Sequence, residues 1–247
     1  MVKKDKKQVV GELIYGVNPI VELLKAKKRK LISIYTTKPE TKAFLEIKEL
    51  LPKYPVAIQY VSRDVLARMA ETTDHQSVVA WVQSYGYRKK MFDPKRESFI
   101  LLLDGVQDPR NVGAIIRSAY CTGIDGVILP QKNSAPLNSV VHKSSAGLSE
   151  HIDIMLSDSS ISAIQQVKDA GYEIYLATLG GKNAVEVSYK KPLCLVIGSE
   201  GFGISKQLFP FGQQITLPQI SKDVSYNASV AAGILLFLIQ DKTKSII

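Results

Sequence analysis

The spacing of hydrophobic positions separates the chain into two parts. In the first part, short apolar or alternating runs predict strands, and patterns with helical spacing between them predict helices. Asn18 is expected to cap the first helix, with Pro19 at its first helical position. These patterns predict a small α/β module over residues 1–83. Its strands are expected at 31–36, 56–61 and 77–83, and its helices at about 18–27, at about 40–51 and after a cap at Ser62.

The second part has longer apolar runs. Residues 84–97 (SYGYRKKMFDPKRE) mix charges, glycine and proline without periodicity, which predicts a linker. Beyond it the strands become continuous apolar runs, which are typical of strands buried on both faces of a parallel sheet. Residues 98–247 are therefore predicted to form a parallel-sheet α/β domain. Its strand runs are FILLLDG, GVILP, EIYLAT, LCLVIG and QITLP, and its helical patterns lie near 111–121, 158–170 and 225–240.

The net charge of +9 belongs entirely to the first part. Residues 1–97 contain 20 Lys and Arg against 11 Asp and Glu, whereas residues 98–247 contain 12 of each class. A basic module joined to a neutral one is expected to hold a polyanion. Lysines that only keep the protein soluble are the alternative, but the clusters KAKKRK (25–30) and RKK (88–90) favour the first interpretation.

Membrane and metal chemistry are not expected. No apolar run approaches the ~20 residues that cross a bilayer, and no apolar core follows the first charges, so a cytoplasmic protein is expected. Cys121 and Cys194 lie in apolar patterns and are expected to be buried free thiols, as in a reducing compartment. The three histidines do not combine with either cysteine at a metal-ligand spacing.

Polar and glycine-rich loops, among them ATLGG (177–181), are expected to follow the predicted strands, where open parallel sheets bind ligands. GSEGFG (198–203) lacks the order of a dinucleotide-binding turn, but its glycines allow close approach of a ligand to the backbone and Glu200 adds an acceptor. A plain strand-to-helix turn is the alternative. Ser225 and Asn227 begin a long, almost wholly apolar helix, either as caps or as ligand contacts. Such a helix must be buried by its own domain or by another subunit.

Three ordered segments carry a family resemblance. LDGVQDPRNVGAIIRSAYCTGIDGVIL, LVIGSEGFGIS and ITLPQISKDVSYNASVAAGILLF resemble the motifs of the SpoU, or TrmH-like, family of RNA ribose 2′-O-methyltransferases in the SPOUT class. IYGVNPIVELL (14–24) and HQSVVAWV (75–82) resemble the L30e-like RNA-binding domain of members that methylate a guanosine of large-subunit (23S) rRNA. The resemblance implies a C-terminal trefoil knot, S-adenosylmethionine as methyl donor, RNA as partner and a homodimer. Leu236 is expected to be a contact position in that dimer.

The same resemblance assigns roles to individual residues. Match to the motifs implies a catalytic set of Asn111, Arg117, Glu200, Ser225 and Asn227. It places the methyl donor against the backbone around Thr178, Leu179, Gly180, Ile197, Gly198, Gly201, Leu217, Ile220 and Ser225.

Four positions depart from the family pattern. Gln219, Tyr226 and Ala228 stand where the family usually has Met, Leu and Val, so they bear on donor affinity or pocket shape. Ser77 replaces the glycine of the usual HQG and bears on the RNA-binding part. None of the four removes a polar catalytic position.

Arg117 is the residue whose role most needs explaining. In the family this arginine is proposed to help the ribose 2′-hydroxyl lose its proton. It lies ~9 Å along a helix from Asn111, and Gly113, Ala114 and Cys121 are expected to leave room for RNA beside it. Because a guanidinium is effectively always protonated, acting as a base needs strong desolvation. Positioning a phosphate or stabilising the forming alkoxide costs less. An ordinary ion pair is the structural alternative.

Two further functions are weighed against RNA methylation. A non-catalytic RNA-binding or ribosome-assembly protein would be expected to lack Asn111, Arg117 or Glu200, and all three are present. A nucleotide-dependent oxidoreductase would need a dinucleotide-binding turn with an acidic residue about 20 positions on, and the sequence lacks that turn. Within RNA methylation, a 23S rRNA guanosine is the expected target and a tRNA ribose is the alternative.

Overall fold

The structure is a computed structural model that describes residues 11–220 and 224–243. The lysine-rich start of the chain and residues 221–223 of the third motif lie outside the described residues. The chain divides into two units, with the boundary between Gly86 and Tyr87.

The first unit is a four-stranded sheet with three helices. The strand order is β1-β4-β2-β3, in which β4 is antiparallel to both β1 and β2, and β2 is parallel to β3. All of the predicted strands and helices are present, whereas β1 was not predicted because it is short and follows directly on the charged start. The bounds are β1 Gly11–Tyr15, α1 Val17–Ala26, β2 Leu31–Thr36, α2 Lys42–Glu49, β3 Ala57–Tyr60, α3 Arg63–Ala70 and β4 Val78–Gln83.

The helix caps of this unit were predicted with mixed success. Ser62 caps α3 as expected, since its side chain accepts a hydrogen bond from the Val65 amide. Asn18 does not cap α1, which begins at Val17 after Gly16 at φ 90°. The Val17 amide instead donates to Oε1 of Gln76 at 3.1 Å. The capping group comes from a residue 59 positions away, so no local pattern indicated it.

Ser77 occupies a backbone conformation that favours glycine. Its φ is +61°, in the left-handed region. Hydrogen bonds hold the residue there: its amide donates to Nδ1 of His75 at 3.0 Å, and its carbonyl accepts from the Thr36 hydroxyl at 2.9 Å. The serine that replaces the glycine of HQG therefore puts a side chain at a backbone conformation that favours glycine.

The second unit is a six-stranded, wholly parallel sheet, as the apolar runs predicted. The order is β10-β8-β9-β5-β6-β7. Strands β5, β6 and β9 are buried along their whole length, because helices or loops cover both faces. The bounds are β5 Phe99–Asp104, α4 Pro109–Cys121, β6 Gly126–Pro130, α5 Ser139–Ser144, β7 Asp153–Ser157, α6 Ser160–Asp169, β8 Glu173–Asn183, β9 Leu193–Gly198, β10 Gln213–Thr216 and α7 Ala228–Lys242.

Two elements of this unit escaped prediction. Strand β7 is an edge strand with a polar residue at each end, so its apolar run is only three residues long. Helix α5 has six residues, too few to show a period, and it begins where Asn138 accepts hydrogen bonds from two backbone amides.

Most of the segment expected as a linker packs into the second unit. The Arg88 amide donates to the Ile154 carbonyl at 2.8 Å, and the Arg88 guanidinium pairs with Glu97 at 2.6 Å. Phe92 is 2% exposed and lies over Gly126, where any side chain would collide with the ring. Isolated apolar residues in a charged segment show no period, so pattern analysis could not detect this packing.

The two cysteines differ in environment. Cys194 is buried, as predicted, and burial raises the pKa of its thiol above the ordinary range. Cys121 is exposed at the end of α4, which corrects the expectation that both thiols are buried. Among the described residues, no helix is long and apolar enough to span a membrane, and no cluster of three or more His, Cys, Asp or Glu side chains is arranged to hold a metal ion.

Candidate active site

An interruption in the sheet creates the site. Leu176 of β8 pairs with Gln214 of β10, but the next residue of β10, Ile215, pairs with Lys182. Residues 177–181 therefore bulge out of the pairing. ATLGG was expected as a loop after a strand. It lies instead within β8, with Gly181 so close to the Gln214 backbone that a Cβ atom there would collide.

A cavity of about 380 Å³ lies beside this bulge, between the carboxyl ends of β8, β9 and β10 and the start of α7. Its volume is in the range of small-molecule sites. Seven of the nine residues expected to contact a methyl donor line it: Thr178, Leu179, Ile197, Gly198, Gly201, Leu217 and Ser225. All three departures from the family pattern in this region, Gln219, Tyr226 and Ala228, line it as well.

The other two expected donor contacts are not brought to the cavity. Gly180 belongs to the bulge, but a Cβ atom built on it would meet nothing within 4 Å. Ile220 is fully exposed and lies outside the cavity lining. It borders residues 221–223, which lie outside the described part of the chain.

The loop after β9 is held in one conformation by its own backbone. The Ser199 amide donates to the Gly203 carbonyl at 3.1 Å, and the Gly203 amide donates to the Ser199 carbonyl at 2.9 Å. Gly203 has φ +65°, which favours glycine. Asp104, at the end of β5, accepts a hydrogen bond from the Ser205 amide at 2.7 Å. The loop thus presents its backbone groups to the cavity in a fixed arrangement.

Two of the predicted catalytic residues meet directly. Asn111, in the first turn of α4, donates its side-chain amide to the Glu200 carboxylate, although the two residues are 89 positions apart. Asp108 caps α4 by accepting a hydrogen bond from the Arg110 amide at 2.8 Å, which fixes the helix start. The first and second motifs therefore form one continuous polar contact at the cavity rim.

Arg117 is exposed on α4. Within residues 11–220 and 224–243, it has no hydrogen-bond or ion-pair partner, so the alternative of an ordinary ion pair does not hold there. Gly113 does not open space beside it. That glycine is buried against Ser144 of α5, whose hydroxyl a Cβ atom would strike. Its role is close helix packing.

The two polar residues before α7 have different positions. Asn227 caps the helix, since its side-chain oxygen accepts from the Ser229 amide at 2.9 Å and the Ser229 hydroxyl at 2.6 Å. Ser225 lines the cavity and is exposed to it.

Sequence reasoning missed Phe202, at the tip of the loop after β9. Its ring is 97% exposed and it lines the cavity. A single phenylalanine between two glycines carries no periodic signal, so only the structure reveals its position.

The fold described above matches a solved structure of an rRNA methyltransferase. The fold matches the S-adenosylmethionine-bound rRNA methyltransferase from Sinorhizobium meliloti with a TM-score of 0.79, covering 96% of this chain and 88% of that one at 21% identity. At that identity the likeness shows the fold alone: an α/β domain with a parallel sheet of the SpoU type.

The family follows from the sequence matches. Residues 98–237 match the SpoU rRNA Methylase family, and residues 13–88 match the RNA 2′-O ribose methyltransferase substrate-binding domain. YacO of Bacillus subtilis, named for the TrmH family of tRNA/rRNA methyltransferases, is 34% identical over 94% of this chain and 96% of its own length. The 23S rRNA (guanosine-2′-O-)-methyltransferase RlmB of Pectobacterium atrosepticum is 30% identical over 92% of this chain and 97% of its own. The chain belongs to the SpoU family, and it is an S-adenosylmethionine-dependent RNA 2′-O-methyltransferase.

The cavity suits this methyl donor. Backbone groups of the bulge and of the loop after β9 can approach a ligand closely, because Gly198 contributes no side chain. The Thr178 hydroxyl is buried and, among the described residues, has no hydrogen-bond partner, which leaves it for a ligand. Apolar side chains, among them Ile197, Ile215 and Leu235, provide a surface for an adenine ring.

Proposed function

We propose that this protein methylates the ribose 2′-hydroxyl of a guanosine in large-subunit (23S) rRNA. RlmB of Pectobacterium, which bears that activity in its name, matches the chain almost end to end. A tRNA ribose is the second candidate, because the name of the Bacillus relative covers both RNAs. The observation that carries the catalytic part of the proposal is the Asn111–Glu200 contact at the cavity rim, with the exposed Arg117 on the same helix as Asn111.

The proposed chemistry divides between donor and protein. When bound, S-adenosylmethionine supplies a methyl group on a sulfonium sulfur, which passes to the ribose O2′ as the S–CH₃ bond breaks. Arg117 stabilises the negative charge that forms on O2′ as its proton leaves to solvent, or it positions the adjoining phosphate. Arg117 is exposed and so lacks the strong desolvation that general base catalysis by a guanidinium needs, which favours this role.

The other residues of the proposed catalytic set position these groups. Asn111 and Glu200 lock the first turn of α4 to the loop after β9. Asn227 holds the start of α7, and Ser225 contacts the donor or the acceptor hydroxyl in the cavity. The backbone around the seven expected contacts that line the cavity is proposed to hold the donor: Thr178, Leu179, Ile197, Gly198, Gly201, Leu217 and Ser225.

The first unit is proposed to be the L30e-like RNA-binding domain. Four lysines of the KAKKRK cluster, Lys25, Lys27, Lys28 and Lys30, are exposed. Arg29 is different: it is 7% exposed, pairs with Glu12 and lies over the Tyr85 ring at 5.4 Å. Arg29 is therefore a structural residue of this unit, and the lysines provide the charge that faces a phosphate backbone.

A homodimer, a trefoil knot and a cytoplasmic location complete the proposal. Helix α7 leaves Val230, Ile234 and Phe237 exposed on one face, at 49%, 41% and 59%. A second copy of the chain would cover them. Leu236, the contact position expected from the sequence, is fully buried within the chain instead. The knot is supported by the path of the chain, which runs from the central β9 to the edge strand β10 and returns as α7 against α4 and β9.

The test is a map of ribose methylation in rRNA and tRNA from cells with and without the gene. We expect one 2′-O-methylguanosine of 23S rRNA to disappear with the gene and to return with the parent protein. The Arg117→Ala variant should not restore it, although its donor affinity should match that of the parent. Loss of a tRNA methylation instead would transfer the proposal to tRNA. Restoration by the variant to the parent's level would remove Arg117 from catalysis.

A further inference from the structure

Phe202 is exposed in a way that its own unit does not explain. A phenylalanine that stays in water forgoes about 1.5–3 kcal/mol that burial would contribute. The ring is nevertheless 97% exposed, at the tip of a loop that backbone hydrogen bonds close. The paired backbone hydrogen bonds of Ser199 and Gly203 close this loop, and the Phe202 amide donates to the Ser199 hydroxyl at 3.3 Å. These bonds hold the backbone that carries the ring in one turn conformation.

Both neighbours of Phe202 are glycines, so neither adds a side chain beside the ring, which is 97% exposed. Cβ atoms at Gly201 and Gly203 would meet nothing within 4 Å. Gly203 needs its φ of +65°, but Gly201 has no positive φ and no close neighbour that requires a glycine. Open space on either side of a flat ring suits a flat ligand. It suits a protein partner less, because the adjoining residues are Glu200 and glycines rather than a continuous apolar patch.

The location of the ring indicates which ligand it binds. Phe202 and Glu200 both line the cavity that fits the methyl donor, and Glu200 accepts the hydrogen bond from Asn111. The acceptor ribose must reach this rim to receive a methyl group, and its base must then lie within a few ångströms. RNA-binding proteins hold such unpaired bases by stacking them on aromatic rings.

We propose that Phe202 is a positioning residue that stacks on the base of the target nucleotide and so orients its ribose toward the donor cavity. This inference rests on the proposed function, in which the acceptor is an RNA ribose. Stacking one base on an aromatic ring strengthens binding of that base by between about fivefold and about a hundredfold. Because the first unit holds the rest of the RNA, the loss should fall mainly on kcat at saturating RNA and much less on RNA affinity.

The experiment compares Phe202→Leu, Phe202→Tyr and Phe202→Trp in the full-length protein. Labelled methyl transfer from S-adenosylmethionine is measured on large-subunit rRNA and on total tRNA, both purified from cells that lack the gene. We expect Phe202→Leu to lower kcat by about tenfold or more, while the two aromatic variants retain most of the activity. Ile161→Ala, which trims another exposed apolar residue, on α6, is the matched control and should behave as the parent.

Any of the following results would overturn the inference. If Phe202→Leu is as active as the parent, or if Tyr and Trp fail as fully as Leu, stacking is not the role of the ring. If Phe202→Leu weakens donor binding measured by calorimetry, the ring contacts the donor. If it changes the sedimentation coefficient, the ring belongs to a subunit interface. If the parent protein methylates neither RNA, both the proposed function and this inference are wrong. If the parent is active, the variants test the role of Phe202 alone.

Discussion

Replacing Gly198 with alanine should displace the loop that lines the donor cavity. A Cβ atom at this position would lie 2.2 Å from the carbonyl carbon of Gly203, whereas ordinary contacts begin at 3.4 Å. The two backbone segments would have to separate by more than 1 Å, the difference between those distances. That shift would stretch the two Ser199–Gly203 hydrogen bonds, now 3.1 and 2.9 Å, beyond hydrogen-bonding range.

The magnitude follows from those two bonds. Each contributes about 0.5–1.5 kcal/mol, so Gly198→Ala should lower the free energy of unfolding by roughly 1–3 kcal/mol and the Tm by several degrees. Donor affinity measured by calorimetry should fall below detection, because the loop that lines the cavity has moved. Gly86→Ala is the matched control: it makes the same chemical change where a Cβ atom meets nothing within 4 Å. A Gly198→Ala protein with the parent's Tm and donor affinity would refute the steric reasoning.

Four other predictions concern the rest of the chain. Phe237→Glu should convert the proposed homodimer to a monomer, as measured by sedimentation, whereas Ile161→Glu, at an exposed position on α6, should leave the mass unchanged. A parent of 27.2 kDa in solution would contradict the dimer. Ser77→Gly should raise the stability of the first unit in denaturant by up to about 1 kcal/mol, because it relieves the left-handed strain; a loss of stability would show that the side chain contributes more than the strain costs. Gln240→Leu should lower the free energy of unfolding in urea by about 1–3 kcal/mol, because the side-chain amide donates to the carbonyls of residues 122 and 123 at 2.7 and 3.2 Å. An unchanged unfolding midpoint would mean that water replaces the lost amide. RNA affinity should fall steeply with salt if the exposed lysines displace counterions from phosphates, and a flat salt dependence would contradict that role.

The sequence predicted the elements whose signals are local. Continuous apolar runs identified the buried parallel strands, and Ser62 was correctly identified as a cap because a cap acts within three residues. The capping of α1 by Gln76 and the packing of Phe92 were missed, because each depends on residues far away in the chain.

Sequence signals likewise indicated some residues of the candidate site but not the orientation of others. The motifs indicated Asn111 and Glu200, and the structure brings the two side chains together. Pattern analysis could not show that Leu236 faces inward while Phe237 faces outward, because an almost wholly apolar helix carries no polar face to orient it. Gly113 was misjudged for a related reason: a glycine reveals that space is needed, but not on which side.

The bulge of residues 177–181 has a consequence for how freely this protein can change. A ligand gripped by main-chain groups is indifferent to most side chains around it, so substitutions such as Gln219, Tyr226 and Ala228 alter the lining without removing the grip. Insertions and deletions are another matter, since one residue more or less in the bulge would change the path of the main-chain groups that line the cavity. Apart from glycines such as Gly198 that pack against another backbone segment, this pocket should tolerate changes of residue identity better than changes of chain length.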